Sequence, residues 1–409
     1  LPAGHRCGRA AALGGQAEGT SATPAQLRRS IYSSADYDKD IPSYAQGNGF
    51  LDVEAAWKVL RKEPVVKTYT VKAPVCTAIS SLLATPNQGV GIYNNCAATR
   101  GGHTPGQSKT YPVTLTRTSG AAGSITHDLK LVGNDGTFSA PSSVALPLNT
   151  PVTIDVAAKP AVGAHSAILQ VDDPATRIVD FETQNMVVAA NELTAPNFSF
   201  TASDEVDRNS TTSYFVNVPP GTKTFAVNMS GLKSGSQTRW IAITPYGLHV
   251  EASATTMCYP NYSDPATCNP SARVYNNPIP GVWELEVESR RTSPILENPY
   301  TLTAVLQSIS VTPQKITLPS VTIGTPTKVD WTVKNDGGPI SVHAAGGPLG
   351  SAVTERPTIA DGDIQSRSVT VPAGATRLDA SISNPGDISA DLDIYVYNPA
   401  GTGRVRGGR

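Results

Sequence analysis

The sequence has few charged residues and no excess of either sign. Only 16% of its 409 residues are charged, with 32 Lys and Arg against 33 Asp and Glu, which gives a net charge of -1 at pH 7. A surface that neutralises nucleic-acid phosphates needs a clear basic surplus. The composition therefore predicts no nucleic-acid partner.

Long apolar runs are also missing. No run approaches the ~18–20 residues that a membrane-spanning helix requires. The chain begins at Leu1 without the basic start and apolar core of a signal peptide. We therefore expect no membrane span, and we interpret the chain as a fragment or a processed product.

Cysteine is scarce, with five residues in all. Pairing Cys76 with Cys96 and Cys258 with Cys268 would close short loops, and we predict these two disulfides. Metal ligands or free thiols in the core are the alternatives, although the spacings are not those of a zinc site. Disulfides imply an oxidising, extracellular compartment, and Cys7 has no predicted partner.

Glycine and proline, by contrast, are abundant, with 35 Gly and 33 Pro. They punctuate short runs rich in Thr, Ser and Val, a pattern typical of strands joined by tight turns. The length allows two to four domains of ~100–200 residues each. The predicted fold is mainly β, with tandem β-sandwich domains that follow a short α-helical segment.

The helical segment has recognisable start signals. Thr23 as N-cap and Gln26 three residues later form a capping box for a first helix over residues 23–35. A Gly-Asn-Gly turn follows, and Asp52 caps a second helix. Trp57 lies on the apolar face of that helix.

Beyond residue 64 the apolar periodicity changes to two, which predicts a fibronectin-like or Ig-like sandwich over residues 65–195. An internal repeat relates two later stretches, since FVNVPPGTKTFAVNMS at Phe215–Ser230 aligns with SVTVPAGATRLDASIS at Ser368–Ser383. The repeat predicts one sandwich over residues 196–308. A second copy over 309–409 would lack the residues that complete its sheets.

The sequence between Thr23 and Leu60 resembles the end of the catalytic domain in actinobacterial subtilases. That family carries the run Q-G-x-G-[LF]-[IVL]-[DN]-V-x-A-A-W, matched here by Gln46, Gly47, Gly49, Phe50, Leu51, Asp52, Val53, Ala55, Ala56 and Trp57. The resemblance implies that residues 1–63 are the C-terminal remnant of a subtilisin-like α/β catalytic domain. The sandwiches over 196–308 and 309–409 are similar to bacterial pre-peptidase C-terminal domains.

The family's serine nucleophile lies in a G-T-S-M-[AS]-[ST]-P motif, which Gly19–Pro24 resembles with one residue deleted. Ser21 is therefore a candidate nucleophile. The helix after Pro24 is amphipathic and capped, however, whereas the motif requires a Gly- and Ala-rich helix. Serine catalysis also needs a His base and an orienting carboxylate, and His5 is too close in sequence to Ser21 to fill the family's role. We predict that the chain contains no catalytic residues.

Two further kinds of site have structural alternatives. The first kind consists of two aspartate pairs: Asp361 with Asp363, and Asp391 with Asp393. Their carboxylates would either bind Ca²⁺ or serve only in turns. Four aromatic residues would form either a binding platform or anchors of a core: Trp240, Trp283, Tyr246 and Tyr259. We expect turn chemistry for the first set and core packing for the two tryptophans. No cofactor is predicted.

The resemblance implies that the chain is the accessory C-terminal region of a secreted subtilisin-like serine endopeptidase, inactive without the triad. Its partners would be the parent's protein or peptide substrates and its own catalytic domain. The alternative is an extracellular array for adhesion or for binding carbohydrate or protein.

Overall fold

The computed structural model describes residues 22–250, 258–259, 269–320, 322, 325–343, 353–375, 377–383, 385–387, 390–400 and 404–406. Strands dominate the described chain, which confirms the predicted mainly β fold class. The chain divides into two compact units, Leu1–Val342 and His343–Arg409. No helix among the described residues is long and apolar enough to cross a membrane.

The described chain begins with three α-helices: α1 (Pro24–Ser33), α2 (Ser43–Gln46) and α3 (Val53–Leu60). Thr23 and Gln26 form the predicted capping box, and the Asp52 carboxylate accepts the Ala55 amide at 2.8 Å to cap α3. These caps satisfy backbone amides that have no partner inside a helix. Within residues 22–63, the helical segment, α1 and α3 thus begin where side chains cap them.

Ten strands follow the helical segment: β1 (Tyr69–Cys76), β2 (Gln88–Gly89), β3 (Tyr93–Asn94), β4 (Lys109–Arg117), β5 (Ser124–Val132), β6 (Phe138–Ser139), β7 (Ser143–Pro147), β8 (Val152–Ala158), β9 (Gly163–Asp172) and β10 (Phe181–Ala189). They form the first sandwich, ordered β6-β8-β4-β1-β3-β10-β9-β5-β7, with β2 added to β1. Strand β1 belongs to both layers. Its residues 69–72 pair antiparallel with β4, and its residues 75–76 pair parallel with β3.

The core of the first sandwich follows from the alternation of its strands. Strand β4 buries Tyr111, Val113 and Leu115 at every second position, as expected for a strand with one face in a core. Leu146 and Leu169 reach the same core from β7 and β9. Burial of these side chains is the main favourable free energy of the domain.

Eight further strands form the second sandwich: β11 (Asn191–Glu192), β12 (Ser199–Asp207), β13 (Thr211–Val218), β14 (Thr224–Ser230), β15 (Thr238–Ile243), β16 (Ala272–Asn276), β17 (Gly281–Ser289) and β18 (Glu297–Gln307). One sheet has the order β11-β13-β17-β15 and the other β12-β18-β14-β16. The core between them contains Trp240, Trp283 and Phe225.

The boundary between the two sandwiches lies earlier than the predicted 195/196. Strand β11 pairs with Val216 and Asn217 of β13, so it belongs to the second sandwich. A cluster of buried residues also joins the two sandwiches: Ala97, Val188 and Ala190 from the first, and Phe215 and Val282 from the second. The two sandwiches therefore share apolar packing.

A short hairpin follows the second sandwich, with β19 (Ile309–Thr312) antiparallel to β20 (Thr332–Asn335). The Gly338 amide donates to the carbonyl of Leu306 at the end of β18. A Cβ at Gly338 would lie 2.4 Å from Val305 Cγ2, so the close approach of this backbone requires glycine. The hairpin is thereby attached to the second sandwich.

The described residues of the predicted second copy do not form a sandwich. Residues 366–375 and 377–383 contain no strand, and Val369, Val371, Leu378 and Ile382 are 45–58% exposed. The described part of the second unit has one strand pair, β21 (Tyr395–Tyr397) with β22 (Arg404–Arg406).

The first copy shows how the repeated strands pair when a sandwich forms. Strand β13 pairs along its length with β17, and β14 pairs with β18. The described residues 366–375 and 377–383 of the second copy have no such ladder.

Candidate functional site

The motif that resembles the subtilase run organises a compact loop in the helical segment. The Gln46 side chain accepts a hydrogen bond from the Asp38 backbone amide at 3.1 Å, and it donates hydrogen bonds to the backbone carbonyls of Asp38 and Ile41. Asp36 and Phe50 exchange two backbone hydrogen bonds of 2.8 Å. Gln46 therefore closes the loop that leads from α1 to α2.

Gly49 of the same motif occupies a position where no other residue fits without strain. Its φ is +114°, and an added Cβ would lie 2.3 Å from the Asp36 carbonyl oxygen. Only glycine adopts this backbone conformation without strain. The motif glycine is thus explained by a close approach of two backbone segments.

The helical segment docks on the first sandwich through two buried serines. The Ser43 hydroxyl in α2 donates to the Ser166 hydroxyl in β9 at 2.8 Å, and the Tyr44 amide donates to the same Ser166 oxygen at 3.1 Å. The Gln184 side chain in β10 donates to Ser43 at 2.8 Å. Buried hydroxyls are retained only where they are hydrogen-bonded, so these contacts fix α2 against the sheet.

A buried carboxylate makes a second contact across the same interface. Glu182 in β10 has a side chain only 8% exposed. Its carboxylate accepts a hydrogen bond from the side-chain amide of Asn48 at 2.8 Å and lies 3.5 Å from the Arg29 guanidinium in α1. The Gln170 side chain donates to its other oxygen at 3.1 Å. One carboxylate of the sandwich therefore contacts both α1 and the turn that precedes α3.

Aromatic packing continues this contact into the sandwich. The Arg29 guanidinium lies 5.8 Å from the centre of the Phe181 ring, which stacks on Tyr69 of β1. The Tyr69 hydroxyl donates to His127 Nε2 at 2.8 Å, because His127 Nδ1 is hydrogen-bonded to the Ile125 carbonyl. Burial lowers the pKa of His127 and raises that of Tyr69, so both rings are neutral near pH 7.

The connection between the helical segment and β1 is held by a buried ion-pair network. Lys67 Nζ lies 2.7 Å from the Asp173 carboxylate and 3.2 Å from that of Asp180. Burial raises the pKa of Asp173, but its hydrogen bonds from Lys67 and the Ala175 amide outweigh burial, so the pKa is lowered overall. The network keeps the connection on the sandwich surface.

The second sandwich approaches the same region through β17. Burial raises the pKa of Tyr44 in α2 and of Tyr93 in β3, and the charge of Glu284 raises both further. The Ser213 hydroxyl donates to Glu284 at 2.6 Å. The charge of Glu284 therefore acts on one tyrosine of the helical segment and on one of the first sandwich.

The predicted disulfides are only partly within the described residues. Cys76 and Cys96 are bonded, with 20 residues of separation and Cα atoms 5.6 Å apart. Cys258 is also disulfide-bonded, while its predicted partner Cys268 lies outside the described residues. The Cys76–Cys96 bond closes the segment from the end of β1 to the end of β3.

The candidate nucleophile Ser21 and the unpaired Cys7 lie outside the described residues. Within the described chain, no serine hydroxyl is hydrogen-bonded to a histidine ring. His165 Nδ1 lies 2.5 Å from Asp135, but its Nε2 faces the Ala161 carbonyl at 3.2 Å. This His-Asp pair therefore has no hydroxyl to activate, since a triad needs the nucleophile on the free ring nitrogen.

The remaining candidate residues lie in the second sandwich and in the second unit. Trp240 and Trp283 are buried in the core of the second sandwich, which confirms core packing for the tryptophans; Tyr259 is buried as well, whereas Tyr246 is 45% exposed. No group of three or more His, Cys, Asp or Glu in the described ranges is arranged to hold a metal ion. The role in turns expected of the carboxylates considered for calcium stays a prediction: Asp361, Asp363, Asp391 and Asp393.

Sequence reasoning did not identify the residues that make the docking interface. Glu182 is the one charged residue of β10, whereas Ser166 in β9 follows His165 and has no distinguishing pattern. A charged residue in such a strand needs a partner when it is buried. The isolated Glu182 was therefore the one available signal, and it does not reveal which segment provides the partner.

Comparisons with known proteins place these elements in context. Residues 70–189 match the family model described as the Ig-like domain in actinomycete serine proteases, a range that coincides with β1–β10. A stretch of 242 residues, 58% of the chain, is 24% identical to pyrolysin from Pyrococcus furiosus, of which it covers 16%. The solved structure of tripeptidyl peptidase 2 matches with a TM-score of 0.52 and 14% identity, over 74% of this chain and 26% of that one.

The chain therefore spans only a small part of both proteins. The likeness to tripeptidyl peptidase 2 concerns the fold alone. Together with the family match, the similarity to pyrolysin supports a C-terminal region associated with subtilisin-like proteases.

Proposed function

We propose that this chain is the accessory C-terminal region of a secreted subtilisin-like serine endopeptidase. The observation that carries the proposal is the docking of the helical segment, with its subtilase-like motif, onto a sandwich that matches the Ig-like domain of actinomycete serine proteases. The parent protein would hydrolyse peptide bonds through an acyl-enzyme on a serine. This chain by itself would be inactive.

The exposed side of the helical segment supports a missing catalytic partner. Tyr32, Phe50, Leu51 and Val53 are 37–60% exposed, although all four are large and apolar. Ala56 and Leu60 of α3 are buried instead. Exposed apolar groups that lie together in one segment commonly mark an interaction surface. The rest of a catalytic domain would cover this surface in the parent.

The sandwiches would then serve as a fixed extension of the catalytic domain. Buried serines, the Glu182 contacts and the Lys67 network hold the helical segment on the first sandwich, and buried apolar residues join the two sandwiches. Such packing resists the relative domain motion expected of polar interfaces. We propose that the modules position protein substrates, and that the second sandwich, β11–β18, is a pre-peptidase C-terminal-like module.

The two tryptophans of the second sandwich do not support the alternative of a carbohydrate-binding platform on that sandwich, since Trp240 and Trp283 lie inside its core. An extracellular location is proposed from the Cys76–Cys96 disulfide and the matching protease family. No cofactor is proposed.

Covalent labelling tests the proposal. The gene extended upstream of Leu1 should encode Asp, His and Ser motifs of a subtilase, and the parent protein should cleave casein and bind a fluorophosphonate. The 409-residue chain should do neither. An adduct on Ser21 of this chain would show that it carries its own nucleophile. A parent protein without subtilase motifs would refute the assignment.

A further inference from the structure

The segment enclosed by the Cys76–Cys96 disulfide is unusual in composition and exposure. Residues Thr77–Asn95, the apolar loop, contain no charged side chain. Leu82 is 82% exposed, Val90 is 78% exposed, and Ile79 and Leu83 are each 43% exposed. Water contact with large aliphatic groups is unfavourable, so a loop that presents four of them is a candidate interaction surface.

The apolar loop is held in shape rather than loosely attached. The Cys76–Cys96 disulfide joins its two ends. Inside it, the Ser80 hydroxyl donates to the Asn87 side chain at 2.8 Å, and the Asn87 amide donates to the Ser80 carbonyl at 2.9 Å. The Leu82 tip is therefore fixed between two bonded residues. A preformed surface loses less conformational entropy when it binds.

The position of the apolar loop connects it with the docking interface. A Cβ at Gly91 would lie 2.0 Å from the Gln184 carbonyl oxygen, so the backbone of the loop packs directly on β10. The side chain of the same Gln184 donates to Ser43 of the helical segment. The loop thus continues the surface on which the proposed catalytic domain ends.

One edge of the loop also offers backbone groups. Strand β2, Gln88–Gly89, pairs with β1, and no strand of the described chain pairs with its other edge. An extended polypeptide is able to add to such an edge through main-chain hydrogen bonds, while apolar pockets or side chains select its residues. Val90 follows directly and is exposed beside this edge.

We propose that the apolar loop is an exosite that binds extended, apolar segments of unfolded protein substrates. The proposal rests on the proposed peptidase function of the parent protein. Three features favour this ligand: the absence of charge in the loop, the open edge of β2, and the continuity of the loop with the docking interface. The exosite would hold a substrate near the catalytic domain without taking part in its chemistry.

Binding of an unfolded protein to the intact 409-residue chain tests the exosite. The probe is fluorescently labelled α-lactalbumin, reduced and carboxymethylated so that it remains unfolded, and the comparison is native α-lactalbumin. Fluorescence anisotropy should show binding of the unfolded form only. The double variant Leu82→Asn/Val90→Asn should bind it at least about tenfold more weakly, since two apolar contacts are lost.

A matched control removes two exposed apolar groups elsewhere. Val65 is 71% exposed and Leu296 is 62% exposed, both outside the apolar loop. The variant Val65→Asn/Leu296→Asn should bind like the wild type. Circular dichroism and thermal unfolding midpoints should be unchanged in both double variants, because all four side chains face solvent.

Several outcomes would overturn the exosite. They are a wild-type chain that does not bind the unfolded probe, a loop variant that binds as well as the control, and a loop that instead mediates self-association or binding to phosphatidylglycerol vesicles. The assay needs no peptidase activity. A negative result here would leave the endopeptidase assignment standing, and failure of the labelling experiment on the parent would not alter the binding measured here.

Discussion

Glu182 offers a direct test of whether the helical segment is docked. The substitution Glu182→Ala removes the acceptor of the Asn48 side chain and the ionic partner of Arg29. Both partners lie in the helical segment, whereas Glu182 lies in β10 of the first sandwich. The change therefore weakens the interface without removing any residue of the segment that it tests.

The size of the effect follows from the two contacts. A buried hydrogen bond to a charged group contributes about 1.5–3 kcal/mol, and the longer contact to partly exposed Arg29 adds at most about 1 kcal/mol. The desolvation of Glu182 offsets part of this gain. We expect a loss of about 2–3 kcal/mol, so the segment should open roughly 30- to 150-fold more often, at 1.4 kcal/mol per tenfold.

Hydrogen exchange measured by mass spectrometry detects this opening. Amides of α1 and α3 should lose protection in Glu182→Ala, while amides of β13 and β17 in the second sandwich should exchange as in the wild type. Glu205→Ala serves as the matched control, because Glu205 is an exposed carboxylate on β12. It should leave exchange in all four elements unchanged.

Two results would refute the reasoning. If α1 and α3 of the wild-type chain exchanged as fast as an unprotected peptide, the helical segment would not be docked at all. If Glu182→Ala and Glu205→Ala gave the same protection in α1, the buried carboxylate would contribute nothing to the interface.

Three further changes test the buried features of unit 1. Lys67→Met should cost about 3–5 kcal/mol in urea unfolding at pH 7, because buried carboxylates lose their partner; equal stability would contradict the network. Folding lowers the pKa of Asp173, so this carboxylate should contribute to the free energy of unfolding above about pH 4, and the contribution should be lost as the pH falls further. Urea unfolding measured between pH 2 and pH 7 checks this. Replacing Cys76 and Cys96 by Ser should destabilise the first sandwich by about 3 kcal/mol, because the unfolded chain is then no longer constrained by the closed loop. An unchanged urea midpoint would argue against this stabilising role of the disulfide.

Local sequence signals predicted the helical segment well, because their physics is local. The capping box of Thr23 and the Asp52 cap each depend on residues within one turn, and both are present. The first copy of the repeat likewise places its P-x-G turn between β13 and β14, where Gly221 has a φ of +83°. The helix caps and this turn could therefore be predicted from the sequence alone.

Contacts between distant residues could not be read in the same way. Ser43 and Ser166 are separated by 123 positions, and neither has a pattern that names the other. The assignment of β11 to the second sandwich also depends on a partner in β13. For the second repeat copy, strand patterns were present, but a strand forms only where a neighbour completes its hydrogen bonds. Periodicity describes a residue's preference and not the availability of its partner.

Strand β1 has a mechanical consequence. It follows the helical segment directly and is hydrogen-bonded to β4 along its first half and to β3 along its second. A tensile force applied through the catalytic domain would load both ladders in shear, so many hydrogen bonds would have to break together rather than one after another. The first sandwich should therefore transmit force between the proposed catalytic domain and whatever anchors its far end, with the docking contacts of Ser43 and Glu182 loaded before the ion pairs of Lys67.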